Sequence, residues 1–192
     1  MSWDSMYNGI PPWDIGRPQK ELVNVAERGE IRGKVLDIGC GTGELVIYFA
    51  ENGHEAWGID VSSRAIVKAK RKVEERNVKV DFLVCDALDL SSLGKKFDSI
   101  TDCGLFHTFS DEDRPVFAKS LASALQNGGT YHMLCFSEKE PKEWGGPRRV
   151  SQKEIRETFS RDWKINYIRE ARFEARLDEI EGRAWLSSIS KL

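Results

Sequence analysis

The sequence predicts an α/β fold in which a doubly wound, mostly parallel sheet of seven strands lies between two helical layers. Short apolar runs alternate with amphipathic helical patterns through most of the chain, as repeated strand-helix-strand units require. A glycine-rich turn at residues 39–43 connects the first apolar run to a helical pattern. Two strand-like stretches, near residues 163–173 and 183–189, then follow one another and predict an antiparallel C-terminal hairpin.

Composition limits the class of protein and its partners. The chain has 192 residues, enough for one substantial core, so we expect a single domain over residues 1–192. The formal net charge of −2 offers no broad basic face for nucleic acid, and the basic run at residues 68–72 is interpreted as a solvated helix face. We expect no nucleic-acid partner and a monomer or homodimer.

The four cysteines are scattered, without a C-x-x-C pair, which argues against a metal site. They fall in or beside predicted buried strands, as reduced thiols of a cytosolic protein do. The sequence shows neither a signal-peptide pattern nor an apolar run of about 20 residues. These features predict a soluble, cytoplasmic protein with no membrane partner.

The first strand and the turn after it, residues 35–43, form the predicted ligand site. Glycines at three alternate positions let a ligand approach the main chain closely. A dinucleotide fingerprint would place the third glycine three residues after the second, but Gly43 follows Gly41 by two, and no Gly-Lys-Ser/Thr follows. Asp37, just before the turn, is poorly placed for a pyrophosphate and well placed for an ammonium group. Another nucleotide or NAD is the alternative ligand.

These residues resemble the first motif of class I S-adenosylmethionine-dependent methyltransferases, an acidic residue followed by Gly-x-Gly-x-Gly. The resemblance implies a Rossmann-like fold with S-adenosyl-L-methionine as cofactor. It implies that Gly39, Gly41 and Gly43 hold the methionyl part and that Asp37 faces its amino group. Further cofactor contacts implied by the resemblance are Cys40, Val61, Asp86, Ala87 and Cys103.

Acidic residues also end the next two predicted strands, residues 55–59 and 80–85. Asp60 stands 21 positions after Gly39, about where doubly wound sheets place the acid that binds ribose hydroxyls. The alternative role for Asp60 is the N-cap of the next helix, which Ser62 or Ser63 can also provide. In the family, the strand that ends at Asp86 reaches the adenine ring, and the acid accepts from its exocyclic amine.

The second half of the chain supplies the remaining predicted elements. A fourth strand, residues 97–102, leads into a loop that should border the reaction centre, since open parallel sheets bind ligands beyond these strand ends. An S-x-x-D capping pattern at residues 110–113 opens a helix that runs to residues 128–129, and a fifth strand follows at 130–136. Residues 151–154 form a capping box for the last helix.

Two irregular segments are expected to cover the site. Residues 1–19 are rich in aromatic and turn-forming residues, with no helical or strand period. They are expected to cover the core edge, to form a lid over the cofactor, or to do both. Trp13 is suited to face a sulfonium. Residues 137–150 are too long for a simple connection and are interpreted as an acceptor-binding loop.

Parts of these segments sharpen the resemblance. Residues 11–19 look like the Pro-Pro-Trp-Asp-x-Gly-x-Pro-Gln segment of thiopurine S-methyltransferase-like and thiol/halide methyltransferases. Residues 146–151 look like their Gly-Pro-Pro-x-x-Val segment, with Arg148 where the family often has a second proline. The pair Asp113-Arg114 adds to this resemblance. It implies a small-molecule methyl acceptor, either a thiol or another soft nucleophile.

Methyl transfer from a sulfonium is an in-line displacement, so positioning the nucleophile supplies much of the catalysis. His107 is the base candidate, because His54 lies at the opposite strand edge and His132 within a strand. Otherwise His107 lines the pocket or caps a backbone group. The candidates for acceptor binding are Phe106, His107, Arg114 and Arg148.

Two other functions remain open from the sequence. One is an O- or N-methyltransferase of a phenolic or quinone-like metabolite, which would lose turnover on the change His107→Ala. The other is a non-catalytic module that binds S-adenosylmethionine and methylates nothing.

Overall fold

The computed structural model describes residues 2–141, 146–176 and 181–192. Six helices and seven strands are formed by these residues, together with two 3₁₀ turns, Ala87–Leu93 and Phe106–Thr108. The helices are α1 (Trp3–Met6), α2 (Lys20–Glu27), α3 (Glu44–Glu51), α4 (Ser63–Arg76), α5 (Asp113–Ala124) and α6 (Gln152–Thr158). The strands are β1 (Lys34–Ile38), β2 (Glu55–Asp60), β3 (Asp81–Val84), β4 (Phe97–Cys103), β5 (Leu125–Phe136), β6 (Trp163–Glu174) and β7 (Glu181–Lys191).

All seven strands form one sheet, in the order β3-β2-β1-β4-β5-β7-β6. The first five strands of that order are parallel, and β7 runs antiparallel to both β5 and β6. The predicted fold class is therefore confirmed, including the antiparallel C-terminal pair. The strand order reverses between β1 and β4, and such a switch point opens a crevice at the carboxyl ends of the strands.

Helices cover both faces of the sheet and close two apolar clusters. One cluster joins the sheet to α2, α3 and α4, and the other joins it to α5, α6 and the turn Ala87–Leu93. Strand β1 contributes to both, because Val35 lies in the first cluster while Leu36 and Ile38 lie in the second. Burial on both faces explains why β1 is almost continuously apolar. The carboxylate of Asp37 interrupts that run at the edge where the glycine turn begins.

Two local expectations were wrong. The N-terminal segment contains the short helix α1, capped by Ser2, where the sequence showed no helical period. Its stabilising contacts lie far along the chain, since Asp4 accepts hydrogen bonds from the hydroxyl of Ser62 and the backbone amide of Arg64. Helix α5 ends at Ala124, short of the predicted 128–129, because Leu125 already pairs with Phe97 in the sheet.

Candidate active site

The backbone conformation of the turn after β1 and its close contacts require glycine at three positions. Gly39, Gly41 and Gly43 have φ angles of 65°, 54° and 86°, in the left-handed region that other residues disfavour. A Cβ on Gly41 would lie 3.0 Å from the hydroxyl oxygen of Tyr7, and one on Gly43 would lie 3.0 Å from Cζ of Phe82. The turn is thus a bare stretch of backbone that enters α3 through Gly43.

A cleft of about 80 Å³ lies between this turn and the N-terminal segment. It brings together many of the residues that the sequence assigned to cofactor binding: Trp13, Asp37, Gly39, Cys40, Gly41 and Cys103. Gly43 lies at the start of α3, and the remaining predicted residues stand at the neighbouring strand ends. Asp60 pairs with Val84 in the β2-β3 register, which places Val61, Asp86 and Ala87 along the same edge of the sheet.

Asp37 supplies a buried acid within the cleft. Burial raises the pKa of Asp37 to about 8, although the hydroxyl of Thr101 donates a 2.7 Å hydrogen bond to Oδ1 and opposes the shift. A cationic group in the cleft would restore the ionised form. The bare turn and this buried acid together fit the amino-acid end of S-adenosylmethionine.

Asp60 connects the glycine turn to the start of α4. Its Oδ2 accepts from the backbone amide of Gly41 at 2.9 Å, and its Oδ1 accepts from the amide of Ser62 at 2.8 Å. Ser62 itself caps α4, since its hydroxyl oxygen accepts from the amide of Ala65. The expectation that a serine would cap this helix is confirmed, and Asp60 lies at the edge of the sheet beside the turn.

Asp86 is exposed at the end of β3, where the chain enters the 3₁₀ turn Ala87–Leu93. Its side chain accepts a 2.9 Å hydrogen bond from the amide of Leu88 and so caps that turn. Val61 is exposed at the end of β2. Contacts of Asp60, Val61, Asp86 and Ala87 with ribose or adenine remain predictions.

The N-terminal segment spans the carboxyl edge of the sheet. At the glycine turn, the hydroxyl of Thr42 donates to Asp14 at 2.8 Å, and the indole N–H of Trp13 donates to the hydroxyl of Tyr7 at 3.2 Å. At β6, the guanidinium of Arg17 binds both carboxylate oxygens of Glu174, at 2.7 and 3.0 Å. The segment therefore covers the edge of the core and also forms one wall of the cleft.

The loop after β4 is held by an acid that the sequence analysis did not assign to the site. Asp102 is buried and accepts from the amides of Leu105 and Phe106 and from the hydroxyl of Tyr131, at 2.7 to 2.9 Å. Burial raises the pKa of Asp102 to about 7. The available signal was its position at a strand end, the same signal that identified Asp60 and Asp86.

His107 lies in this loop, buried beside two aromatic rings. Its ring centre is 5.2 Å from that of Phe136 and 6.2 Å from that of Phe173. The amide of Phe136 donates a 3.2 Å hydrogen bond to Nδ1, which requires that Nδ1 carry no proton and assigns the proton to Nε2. Burial, with the nearby positive charge of Arg149, lowers the pKa of His107 to about 3. Of the roles left open, capping a backbone group matches this geometry.

The two arginines predicted to bind an acceptor interact with protein carboxylates. Arg114 is buried and donates to Glu154 at 2.8 Å, and Arg148 donates to both Glu154 and Asp111 at 2.6 Å. The guanidinium carbon of Arg114 lies 5.0 Å from the ring centre of Phe106, itself fully buried. The structure brings these residues together beside the loop after β4. Trp144, in the predicted acceptor loop, lies outside the described residues.

Within residues 2–141, 146–176 and 181–192, histidine, cysteine and acidic side chains form no group able to hold a metal ion. In the same part of the chain, each helix is too short or too polar to cross a bilayer.

The chain is similar to known methyltransferases in sequence. Residues 35–129 match the profile of a family described as "Methyltransferase domain". The 2-heptyl-1-hydroxyquinolin-4(1H)-one methyltransferase of Mycobacteroides abscessus is 38% identical over 170 residues, which cover 88% of this chain and 75% of the relative. The probable thiol methyltransferase 2 of Arabidopsis thaliana is 30% identical over 155 residues, covering 80% of this chain and 67% of the relative.

Solved structures agree with the sequence relatives. A structure from work on the conversion of a disulfide bond into a thioacetal group during echinomycin biosynthesis is 32% identical, with a TM-score of 0.90 over 98% of this chain and 91% of that chain. The prediction of an enzyme with S-adenosyl-L-methionine as cofactor is confirmed, and the alternative of a non-catalytic module is not supported. The chain belongs to the methyltransferase domain family and is an S-adenosylmethionine-dependent methyltransferase of small molecules.

Proposed function

We propose that the protein methylates the oxygen of a hydroxylated heteroaromatic molecule, of which an N-hydroxyquinolone is the type. The main support for the proposal is the protonation state of His107. Its Nδ1 already accepts a hydrogen bond from the Phe136 amide, and Nε2 holds the ring proton. A histidine held in this way has no nitrogen ready to take a proton from an acceptor. The acceptor must therefore ionise by its own acidity, as an N-hydroxyl on a conjugated ring does more readily than an ordinary phenol.

In the reaction, the chain binds and orients the cofactor and the acceptor, and it excludes water. When bound, the cofactor supplies an electrophilic methyl group on a sulfonium. We propose that Asp37 and the glycine turn hold its amino-acid end, and that Asp60 and Asp86 hold its nucleoside. We propose that the neutral Nε2–H of His107 donates to an acceptor oxygen and does not remove a proton. Holding that oxygen in line, about 3 Å from its target, is the main catalytic contribution.

The aromatic surroundings of His107 support a flat acceptor. Phe136 and Phe173 stack with ring centres 4.9 Å apart, and His107 packs against both. Gly104, with a φ of 85°, lets these rings pack closely against the backbone, since a Cβ there would lie 3.0 Å from Phe173 and 3.4 Å from His107. Offset aromatic contacts contribute about 0.5 to 1.5 kcal/mol beyond burial, which favours a conjugated ring over an aliphatic acceptor.

The relatives support this class and one second candidate. The relative that is 38% identical is named for an acceptor that carries a ring N-hydroxyl and a carbonyl. A thiol is the second candidate, because one relative at 30% identity is named a probable thiol methyltransferase. A thiol of pKa near 8.5 also reaches the site partly ionised and needs no base. Both acceptors thus fit the same neutral histidine.

A direct comparison of acceptors tests the proposal. The purified enzyme is supplied with S-adenosylmethionine and, separately, 2-heptyl-1-hydroxyquinolin-4(1H)-one, its analogue without the N-hydroxyl, and benzenethiol. We expect the O-methylated quinolone as product, with kcat/KM at least about tenfold above the other two, a difference of about 1.4 kcal/mol in transition-state stabilisation. Turnover of the thiol alone would replace the first proposal with the second, and turnover of none would reject both.

A further inference from the structure

We propose that Arg148 is a releasable latch, held by Glu154 and Asp111, that fixes residues 146–150 beside α6 and sets the affinity for the acceptor. This inference rests on the proposed function for its kinetic part only. The four residues Asp111, Arg114, Arg148 and Glu154 are called the Glu154 clamp below. In it, Arg148 acts as a positioning residue.

Glu154 is the centre of the clamp. Its Oε2 accepts from the amide and the hydroxyl of Ser151, both at 2.7 Å, which closes the capping box of α6. Its Oε1 accepts from Nη1 of Arg114 at 2.8 Å and from Nη2 of Arg148 at 2.6 Å. The same Nη2 of Arg148 lies 2.6 Å from Oδ1 of Asp111. Two positive and two negative side chains form one neutral cluster.

The clamp joins three elements of the fold: the loop after β5, helix α5 and helix α6. Arg148 belongs to the loop after β5, Arg114 to the first turn of α5, and Glu154 to the first turn of α6. The guanidinium of Arg114 packs over Phe106, the neighbour of His107. Two residues beyond Arg148, the amide of Val150 donates to the carbonyl of Phe136 at 2.9 Å. A displacement of Arg148 would therefore shift the residues that contact Phe106 and Phe136, which lie on two sides of His107.

The two arginines differ in how easily they can be released. The side chain of Arg114 is 4% exposed, so removing its partner would leave a buried charge, which is strongly unfavourable. The side chain of Arg148 is 37% exposed and that of Asp111 is 74% exposed, so this pair is stabilised only slightly. Arg114 and Glu154 thus form the permanent half of the clamp. Arg148 forms the half that can open without uncovering a buried charge.

Protonation does not operate the latch near neutral pH. Burial opposes ionisation of Glu154, but hydrogen bonds from Ser151, Arg114 and Arg148 lower its pKa to about 2. Hydrogen bonds from Asp111 and Glu154 raise the pKa of Arg148 further above its ordinary value. Both groups stay charged, so opening and closing is a thermal equilibrium that an acceptor can shift.

The variants Arg148→Gln, Asp111→Asn and their double variant test the latch in the full chain. Hydrogen exchange of peptides covering residues 146–151 is measured with S-adenosylhomocysteine bound. We expect exchange at least about threefold faster in each single variant, and little further increase in the double variant, because the two side chains share one contact. Glu157→Gln is the matched control on α6, since Glu157 makes an exposed pair with Lys153 at 3.6 Å and takes no part in the clamp.

Kinetics with 2-heptyl-1-hydroxyquinolin-4(1H)-one give the second measurement. We expect Arg148→Gln to raise the KM for this acceptor about tenfold, with kcat within about twofold and an unchanged dissociation constant for S-adenosylhomocysteine. Unchanged exchange and KM, or fully additive effects in the double variant, would overturn the latch. If the wild-type enzyme does not methylate this acceptor, that result counts against the proposed function, and the exchange measurement still decides the latch.

Discussion

The region proposed to bind the cofactor, around the turn at residues 39–43, and the region proposed to bind the acceptor, around His107 and Glu154, are built in different ways. They are called the cofactor side and the acceptor side. On the cofactor side, the ends of β1 and β2 present backbone and single acids, and the turn at residues 39–43 follows its strand directly. On the acceptor side, the contacts join distant residues, such as Arg114 with Glu154, 40 positions apart, and the Phe136 amide with His107, 29 positions apart. The glycine turn is a local feature of the chain, although its cleft is completed by packing against the N-terminal segment, whereas the acceptor-side contacts come from packing throughout.

The two sides also differ in how far their acidic side chains are stabilised by neighbouring donors and positive charges. Burial raises the pKa of Asp37 to about 8, so the cofactor side holds an acid whose ionised form would be favoured by a cationic ligand. On the acceptor side, Glu154 is surrounded by donors, and its pKa falls to about 2 although burial opposes this. The cofactor side is therefore arranged to receive a charge. The acceptor side is already neutralised by its own residues.

The largest expected effect tests the dependence of the cofactor side on bare backbone. Gly41 and Gly53 both have left-handed φ angles, 54° and 87°, but a Cβ on Gly53 would meet nothing within 4 Å. Each change to alanine should cost about 1 kcal/mol of folding free energy. Only Gly41→Ala should weaken S-adenosylhomocysteine binding, by about 100-fold or 2.7 kcal/mol in calorimetry. Equal loss of binding in both variants would refute a local role for the turn.

The second prediction concerns the acid of the cofactor side. Without ligand, the raised pKa keeps Asp37 protonated below about pH 8. An ammonium group needs the carboxylate, so binding must displace that proton below pH 8 and is not penalised above it. The dissociation constant of S-adenosylhomocysteine should therefore fall as pH rises, by up to about tenfold per unit between pH 6 and 8. In Asp37→Asn, binding should be weaker at pH 8 and independent of pH over that range.

The third prediction separates a neutral histidine from a general base on the acceptor side. His107→Gln keeps a polar side chain while removing the imidazole. Loss of a true base should reduce kcat by about 10² to 10⁴-fold, whereas we expect less than about tenfold for a donor and pocket wall. Rates should be compared with an acceptor that is fully ionised at the pH used. A wild-type pH profile that contains an enzyme ionisation near 6.5, lost in the variant, would restore the role of base.

The smallest expected effect lies where the two sides meet, at the N-terminal segment. Arg17 binds Glu174 through both carboxylate oxygens, but its side chain is mostly exposed. Arg17→Ala should lower the free energy of unfolding by less than about 1 kcal/mol, measured by denaturant titration. We expect S-adenosylhomocysteine to dissociate a few times faster, because the cleft wall is less firmly held. An unchanged dissociation rate would show that this end of the segment does not control the cleft.

Much of the fold was predictable because its signals are short-range. The seven strands and the C-terminal antiparallel pair follow from the period of apolar residues, and Ser62 caps α4 as its position suggested. The capping box of Ser151 and Glu154 was also predicted from four adjacent residues. The errors fell where long-range contacts outweigh local preference. Helix α1 gains contacts from α4, and the pairing of Leu125 with Phe97 ends α5 early.

The sequence by itself determined the first strand, the glycine turn and the acids at the strand ends, because each is specified within a few adjacent residues. Because the strands that carry them are parallel, the turn and these acids lie together at the carboxyl edge of the sheet. Only the tertiary structure decided which nitrogen of His107 carries the proton, that Asp102 holds the loop, and that Arg114 and Arg148 meet at Glu154. These features depend on hydrogen-bond partners brought together by packing, and a linear pattern does not encode which partner a side chain will meet.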